Sequence, residues 1–334
     1  MPDVGRARSR WLSWLVGLAL IVTLIVVIVS SAEERQLYQL TRQARPWWLL
    51  VALALQAATY FFQGEIWRVV TRAAGFSLAA RTASWLGLGK LFLDQALPTA
   101  GISGNVLMVK NLEGRGVPRP VALAGVVVDT VSCYATYVVA LVAALVITVA
   151  RKEASGIVLW VSIAFVAGAA AATVGVLVLT GTRAGALADK VRRLAPLRRG
   201  LELLEAADAH LARSPRLIAL ASLYQLAILL LDAATIWSLI AGFGAHATAS
   251  GVFASFMIST LFRMVGVIPG GLGVFEAASV LTLKLVGVAG PVALAATLLF
   301  RGLSFWLPLL PGVWSARRGS RIHRPSHGQR ASTR

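Results

Sequence analysis

The sequence predicts an all-α polytopic integral membrane protein of about six spanning helices plus two Pro/Gly-broken re-entrant hairpins, about eight hydrophobic segments in all. Three observations carry that prediction. Of 334 residues, 57% are hydrophobic and only 14% are charged, with a mean hydropathy of +0.76, whereas soluble domains average about 25% charged residues. Apolar runs cover roughly 11–31, 47–68, 121–150, 156–180, 217–243 and 291–315, each long enough for a tilted helix to cross a hydrocarbon layer. Two further regions, 83–112 and 251–288, are apolar but interrupted by proline and glycine.

The N-terminus, with Arg6, Arg8 and Arg10 ahead of the run 11–31, resembles a signal peptide. However, its apolar run is about twenty residues and no small-residue site closes it cleanly, so it reads as a retained first span behind a basic cytoplasmic segment, 1–10. The loop 181–216 carries Arg183, Lys190, Arg192, Arg193, Arg198, Arg199, Arg213 and Arg216, and the tail after Ala316 carries six arginines. Positive loops face the cytoplasm, so both termini are expected there, while loop 244–250, without Lys or Arg, is expected outside. Crossings counted from these anchors put both ends of 83–112 inside and both ends of 251–288 outside. Each region therefore crosses an even number of times, as a hairpin or a pair of spans, and the two open in opposite directions. Arg35, Arg42 and Arg45 in the presumed outer loop count against this register. Within 182–212, leucine and valine recur at three- and four-residue steps between basic residues. This fits an amphipathic helix on the inner leaflet as well as a linker helix packed on the bundle. The stretch 11–316 reads as one transmembrane domain, and the basic tail 317–334, rich in Gly, Ser and Pro, as disordered.

The net charge of +18 is spread over loops and tails, which fits an anionic leaflet, and no nucleic-acid motif accompanies it. Cys133 is a lone cysteine, expected to be apolar in setting and inert, and the four histidines stand at no metal-ligand spacing. No Walker loop, Ser/His/Asp set, HExxH or acidic metal cluster is present, so no cofactor is expected.

Candidate site residues lie at the two breaks. In the second, Pro269, Gly270, Gly271 and Gly273 interrupt the run between Arg263 and Glu276. A break at membrane depth survives only within protein or beside a water-filled cavity, and a helix restarting near Val274 would point free N–H groups and its positive dipole end at an anion. Arg263 offers a planar fork for phosphate. Glu276 either favours the helix dipole and pairs with Arg263, or receives a cationic headgroup or proton. In the first break, Lys90 and Asp94 are spaced to pair on one helix face, Pro98, Gly101 and Gly104 break the helix, and Asn105 and Lys110 follow. A lining role is favoured there over a capped surface loop, because the opposite hairpin has the same layout. Interrupted segments of opposite orientation in the two halves of a chain point to a transporter's substrate site. Of the single intramembrane charges Glu65, Asp129, Asp232 and Arg301, the first is expected to pair with Arg68, and the two aspartates with Arg263, Arg301 or Lys90. Arg301 has no acidic residue within a turn of itself, which makes it a functional candidate.

Ile268-Pro-Gly-Gly-Leu-Gly-Val-Phe-Glu276-Ala, then Leu285-Val-Gly-Val and Phe300-Arg301-Gly-Leu-Ser-Phe-Trp306, resemble the membrane domain of lysylphosphatidylglycerol synthases, a flippase-like family with stand-alone members. Leu97-Pro98-Thr-Ala-Gly101-Ile-Ser-Gly104, Gly114-Arg-Gly-Val-Pro118 and Ala124-Gly-Val-Val-Val-Asp129 add to the likeness, which covers about 11–316. Many members have an acidic residue and an Arg soon after the first Pro-containing motif, where Asn105 and Lys110 stand here, and Glu-Arg where this chain has Asp129-Thr130. The resemblance implies movement of an anionic or aminoacylated phospholipid, or a polyprenyl-phosphate-linked lipid, between leaflets of the plasma membrane. A separate lipid synthase or glycosyltransferase would be the partner. Two rivals stand beside it, a membrane-embedded lipid-modifying transferase and a membrane subunit anchoring a separate synthase. No segment here matches the soluble aminoacyl-transferase domain of bifunctional members, so an enzymatic activity is not expected.

Overall fold

The computed structural model describes residues 45–96, 102–150, 167, 206–265 and 271–307, and every regular element among them is helical. The elements are α1 (Trp47–Ala73), α2 (Ala80–Ala96), α3 (Ile102–Glu113), α4 (Arg119–Ala150), a single turn α5 (Ala209–Ala212), α6 (Pro215–Gly242), α7 (Ala249–Val265), α8 (Val274–Leu285) and α9 (Gly290–Arg301), which runs on as a π-helical turn, Gly302–Trp306. The predicted spans 11–31 and 156–180, the terminal segments and most of the amphipathic stretch 182–212 lie outside the described residues.

Among the described residues three helices, α1, α4 and α6, are long and apolar enough to cross a membrane. Local chemistry sets their ends. Asp208 caps α5 by accepting from Leu211 N at 3.1 Å, and Ser214 accepts from Leu217 N at 3.4 Å just ahead of Pro215, the first residue of α6. The two interrupted regions each fold as helix, break, helix, and the arms α2/α3 and α7/α8 pack on each other. α3 and α8 have 12 residues each, a rise of about 18 Å, well short of the ~30 Å hydrocarbon core. As described, α3 and α8 are too short to cross that core alone.

The two halves repeat one another. α2 begins at Ala80 and α7 at Ala249, and at the same shift the positive-φ glycines Gly75 and Gly244 end the preceding helices α1 and α6. After the hairpins, Gly116-Val-Pro-Arg-Pro-Val-Ala-Leu-Ala124 matches Gly287-Val-Ala-Gly-Pro-Val-Ala-Leu-Ala295. Gly116 and Gly287 have φ of 83° and 89°, and the next residues bond back alike, Val117 N to Leu112 O at 3.1 Å and Val288 N to Leu283 O at 3.0 Å. A left-handed residue followed by this backward bond is the helix C-terminal motif that favours glycine. The repeats are inverted. Arg45 N donates to Gly242 O at 2.9 Å, joining the start of α1 to the end of α6, and Asp208 N donates to Pro120 O at 3.0 Å, joining the approach to α6 to the start of α4. The second hairpin thus lies at the opposite end of the bundle from the first.

The apolar core forms two clusters, each drawing residues from both halves of the chain. Trp67, Ile66, Met108 and Leu112 centre the first, and Phe256, Phe275 and Phe300 the second, with ring centroids 5.8–6.4 Å apart. Small residues permit the close contacts that membrane helices need. A Cβ at Gly64 would lie 2.7 Å from the Ala83 backbone, and one at Gly125 would lie 2.8 Å from the Trp67 ring. α6 is the hub, packing on α1, α4, α7 and α9. At the end where α1 starts and α6 ends, Trp47 stacks on Trp48 and Trp48 meets Trp237 edge-on, as interfacial aromatics do.

Candidate functional site at the hairpin tips

In the first hairpin, helical spacing puts Lys90 and Asp94 on one face of α2, and the ammonium bridges two carboxylates. Lys90 Nζ is 2.9 Å from Asp94 Oδ2 and 3.3 Å from Asp129 Oδ2 on α4. Asp129 Oδ1 also accepts from Gln225 Nε2 of α6 at 3.1 Å. Asp94 Oδ1 accepts from the backbone N–H of Gly104 at 3.0 Å, so it caps the first turn of α3 from across the hairpin. Gly104 is glycine for a steric reason, since a Cβ there would sit 2.3 Å from Asp94 Oδ1. Lys90 and Asp129 are buried; paired and hydrogen-bonded, such charges hold the hairpin tip to α4 and α6. Pro98 and Gly101 lie outside the described residues, and Lys110 is exposed.

In the second hairpin, α8 starts at Val274 as the sequence predicts, after Gly271 and Gly273 with φ of 62° and 83°. Pro269 and Gly270 lie outside the described residues. The structure corrects one expectation here. Glu276 takes Arg301, not Arg263, as its partner, with Arg301 Nε 2.6 Å from Glu276 Oε1. The second Glu276 oxygen accepts from Gly273 N at 2.6 Å, the backward half of a capping box. This carboxylate therefore takes up the Gly273 N–H just ahead of α8. Glu276 is 1% exposed and Arg301 4%, and the guanidinium lies 4.6 Å from the Phe305 ring centroid and 5.3 Å from that of Phe275. Arg301 and Glu276, separated by 25 residues, form a pillar joining α8 to α9.

Arg263 stands apart. It is half-buried, and the stem of its side chain lies against Gly271, where a Cβ would fall 2.2 Å from Arg263 Cγ. By the repeat, Arg263 on α7 occupies the place of Asp94 on α2, so equivalent tips carry opposite charges, each against a glycine of the following arm. Arg263 is electrostatically coupled to Asp232 on α6, to Tyr137 on α4 and to Arg301. Asp232 in turn accepts from Gln56 Nε2 at 3.3 Å and Thr59 Oγ1 at 3.4 Å, both on α1. Tyr60 hydrogen-bonds Leu303 O, a carbonyl of the π turn, where irregular backbone needs an extra donor. Cys133 packs against the apolar cluster around Phe256, Phe275 and Phe300, as expected from its setting in the sequence. Glu65 pairs with Arg68, whose Nε also donates to Leu78 O at 2.9 Å. Among the described residues no group of three or more His, Cys, Asp or Glu side chains is arranged to hold a metal ion.

Gln56, Thr59, Tyr60, Tyr137 and Gln225 are the site residues that sequence reasoning missed. The internal repeat was the available signal, because Gln56 and Gln225 occupy equivalent positions in α1 and α6.

An inverted repeat of paired helices around buried charge networks marks a polytopic α-helical membrane protein. The chain belongs to the family described as the lysylphosphatidylglycerol synthase TM region, whose sequence model matches residues 14–312. No curated protein matches it.

Proposed function

We propose that this protein moves a phosphate-bearing lipid, either an anionic or aminoacylated phospholipid or a polyprenyl-phosphate-linked lipid, across the cytoplasmic membrane, with both termini cytoplasmic. The single observation that carries the reading is Arg263, half-buried at the tip of a broken hairpin. Arg301 has a carboxylate at 2.6 Å and Lys90 has two within 3.3 Å, whereas Arg263 acts electrostatically on both Asp232 and Tyr137. A guanidinium so placed can turn its planar fork to a phosphate. Lys90, Asp94 and Gly104 form the corresponding tip of the other hairpin, Glu276 with Arg301 and the backbone of Gly273 keep the second tip in shape, and Gly271 leaves room for the Arg263 stem. Inverted repeats support alternating exposure, because exchanging the conformations of the two halves turns an inward-open arrangement into an outward-open one. The lipid would be supplied by a separate synthase or glycosyltransferase.

The test is reconstitution of the purified protein in liposomes with headgroup-labelled phosphatidylglycerol, its lysyl ester and a polyprenyl phosphate, scored by access of an impermeant quencher. Faster exchange of one lipid, lost in Arg263→Ala, supports the reading. No exchange of any of them by folded protein, with or without an ion gradient, refutes it.

A further inference from the structure

The environment of Asp232 holds an unmet hydrogen bond. Gln56 is 2% exposed. Its amide nitrogen donates to Asp232 Oδ1 at 3.3 Å, yet its amide oxygen is buried and has no hydrogen-bond partner among the described residues. A buried acceptor left unpaired costs about 1–3 kcal/mol. A carboxylate cannot fill that role, since it only accepts; a carboxylic acid can, because it also donates one O–H. An acid and a primary amide lying side by side close a ring of two hydrogen bonds. The amide N–H goes to one carboxyl oxygen, as in the structure, and the O–H on the other goes to the amide oxygen. The groups facing Asp232 agree with a switch between the two forms. From α1 come Gln56, Thr59 and the Tyr60 hydroxyl, and Thr59 Oγ1 lies 3.2 Å from Leu55 O as well as 3.4 Å from Asp232 Oδ1. From α4 comes Tyr137, and from α7 Arg263, the full charge opposing the carboxylate. On α9, Arg301 acts on Arg263 and Glu276.

We propose that Asp232 with Gln56 is a proton-binding site, loaded when Arg263 turns from Asp232 to the lipid phosphate. The proton comes from water and settles on Asp232 Oδ2. Arg263 stays charged throughout, so the lipid phosphate replaces one buried negative charge by another and the proton cancels the charge left behind. This rests on the translocation reading for its cargo, and the two separate experimentally. Infrared difference spectra of the full chain in detergent, recorded between two pH values, should show a protonated carboxyl C=O stretch. The band should be absent in Asp232→Asn, which keeps the shape and the Gln56 N–H acceptor, and shifted in Gln56→Leu. In proteoliposomes, lipid exchange should change about tenfold per pH unit where the carboxylate form dominates and lose that dependence in Asp232→Asn. A band unaffected by Asp232→Asn, pH dependence that survives in that variant, or a requirement for sodium ions in place of protons would each overturn the proton site. The band without movement of any lipid would uphold the proton site and overturn the translocation reading.

Discussion

Removing the Glu276 carboxylate separates structural from functional roles at the second hairpin. Glu276→Ala leaves the Arg301 guanidinium 4% exposed with its 2.6 Å partner gone, and frees the Gly273 N–H that the other oxygen accepts. Breaking a buried ion pair from one side costs roughly 3–5 kcal/mol. The stranded N–H adds part of a further ~1–3 kcal/mol, and because both losses act through one side chain they overlap rather than add. The expected outcome is a fall in unfolding midpoint on the order of 10 °C, read by size-exclusion chromatography of heated, detergent-solubilised protein. Glu276→Gln isolates the charge, since its amide oxygen can still accept from Gly273, so it should lie between Ala and wild type. Glu276→Gln with Arg301→Met removes both charges and should recover most of the lost stability, because exchanging a buried pair for apolar groups is often near neutral. A Glu276→Ala protein as stable as wild type, or a double variant no better than the single, would refute the pillar. A stable double variant that still moves lipid would confine the pair to architecture.

Further substitutions follow from the same geometry. Gly271→Ala puts a Cβ 2.2 Å from Arg263 Cγ at a φ of 62°; the left-handed backbone alone costs about 1–2 kcal/mol, and lipid exchange should fall as far as in Arg263→Ala. Gly104→Ala pushes Asp94 off both Lys90 and the Gly104 N–H, with an expected loss of roughly 1–3 kcal/mol in the same thermal assay. Lys90→Met strands the carboxylates of Asp94 and Asp129 and should destabilise by ~3 kcal/mol or more, while Lys90→Met with Asp129→Leu should regain part of that loss; equal stability of the two variants would show that Asp129 does not depend on Lys90. Tyr60→Phe removes the hydroxyl bonded to Leu303 O and should cost about 1 kcal/mol.

Helical membrane architecture, the long spans α1, α4 and α6, and the two interrupted regions were legible in the sequence, because apolar run length and Pro/Gly interruptions act locally. The i,i+4 pairing of Lys90 with Asp94 and the i,i+3 pairing of Glu65 with Arg68 were legible for the same reason. The restart of a helix at Val274 followed from the glycines before it. For the remaining charges the sequence supplied candidates but not the choice among them: Lys90 was one of three cations offered to Asp129, and the Glu276–Arg301 pair was not foreseen. Arg301 meets a carboxylate 25 residues earlier and Lys90 one on α4, and such choices depend on how α9 leans on α8 and α4 on α2. Nor could spacing show that Gln56 faces Asp232 across 176 residues. The inverted repeat was written in the sequence as two copies of Gly-Val-x-x-Pro-Val-Ala-Leu-Ala, but its antiparallel sense became visible only where Arg45 meets Gly242. Hydrophobic run length and backbone breakers determined the elements by themselves. The assignment of each buried charge to its counter-charge was decided by tertiary packing, because in a low-dielectric bundle a charge must be matched by whichever partner the fold brings within reach.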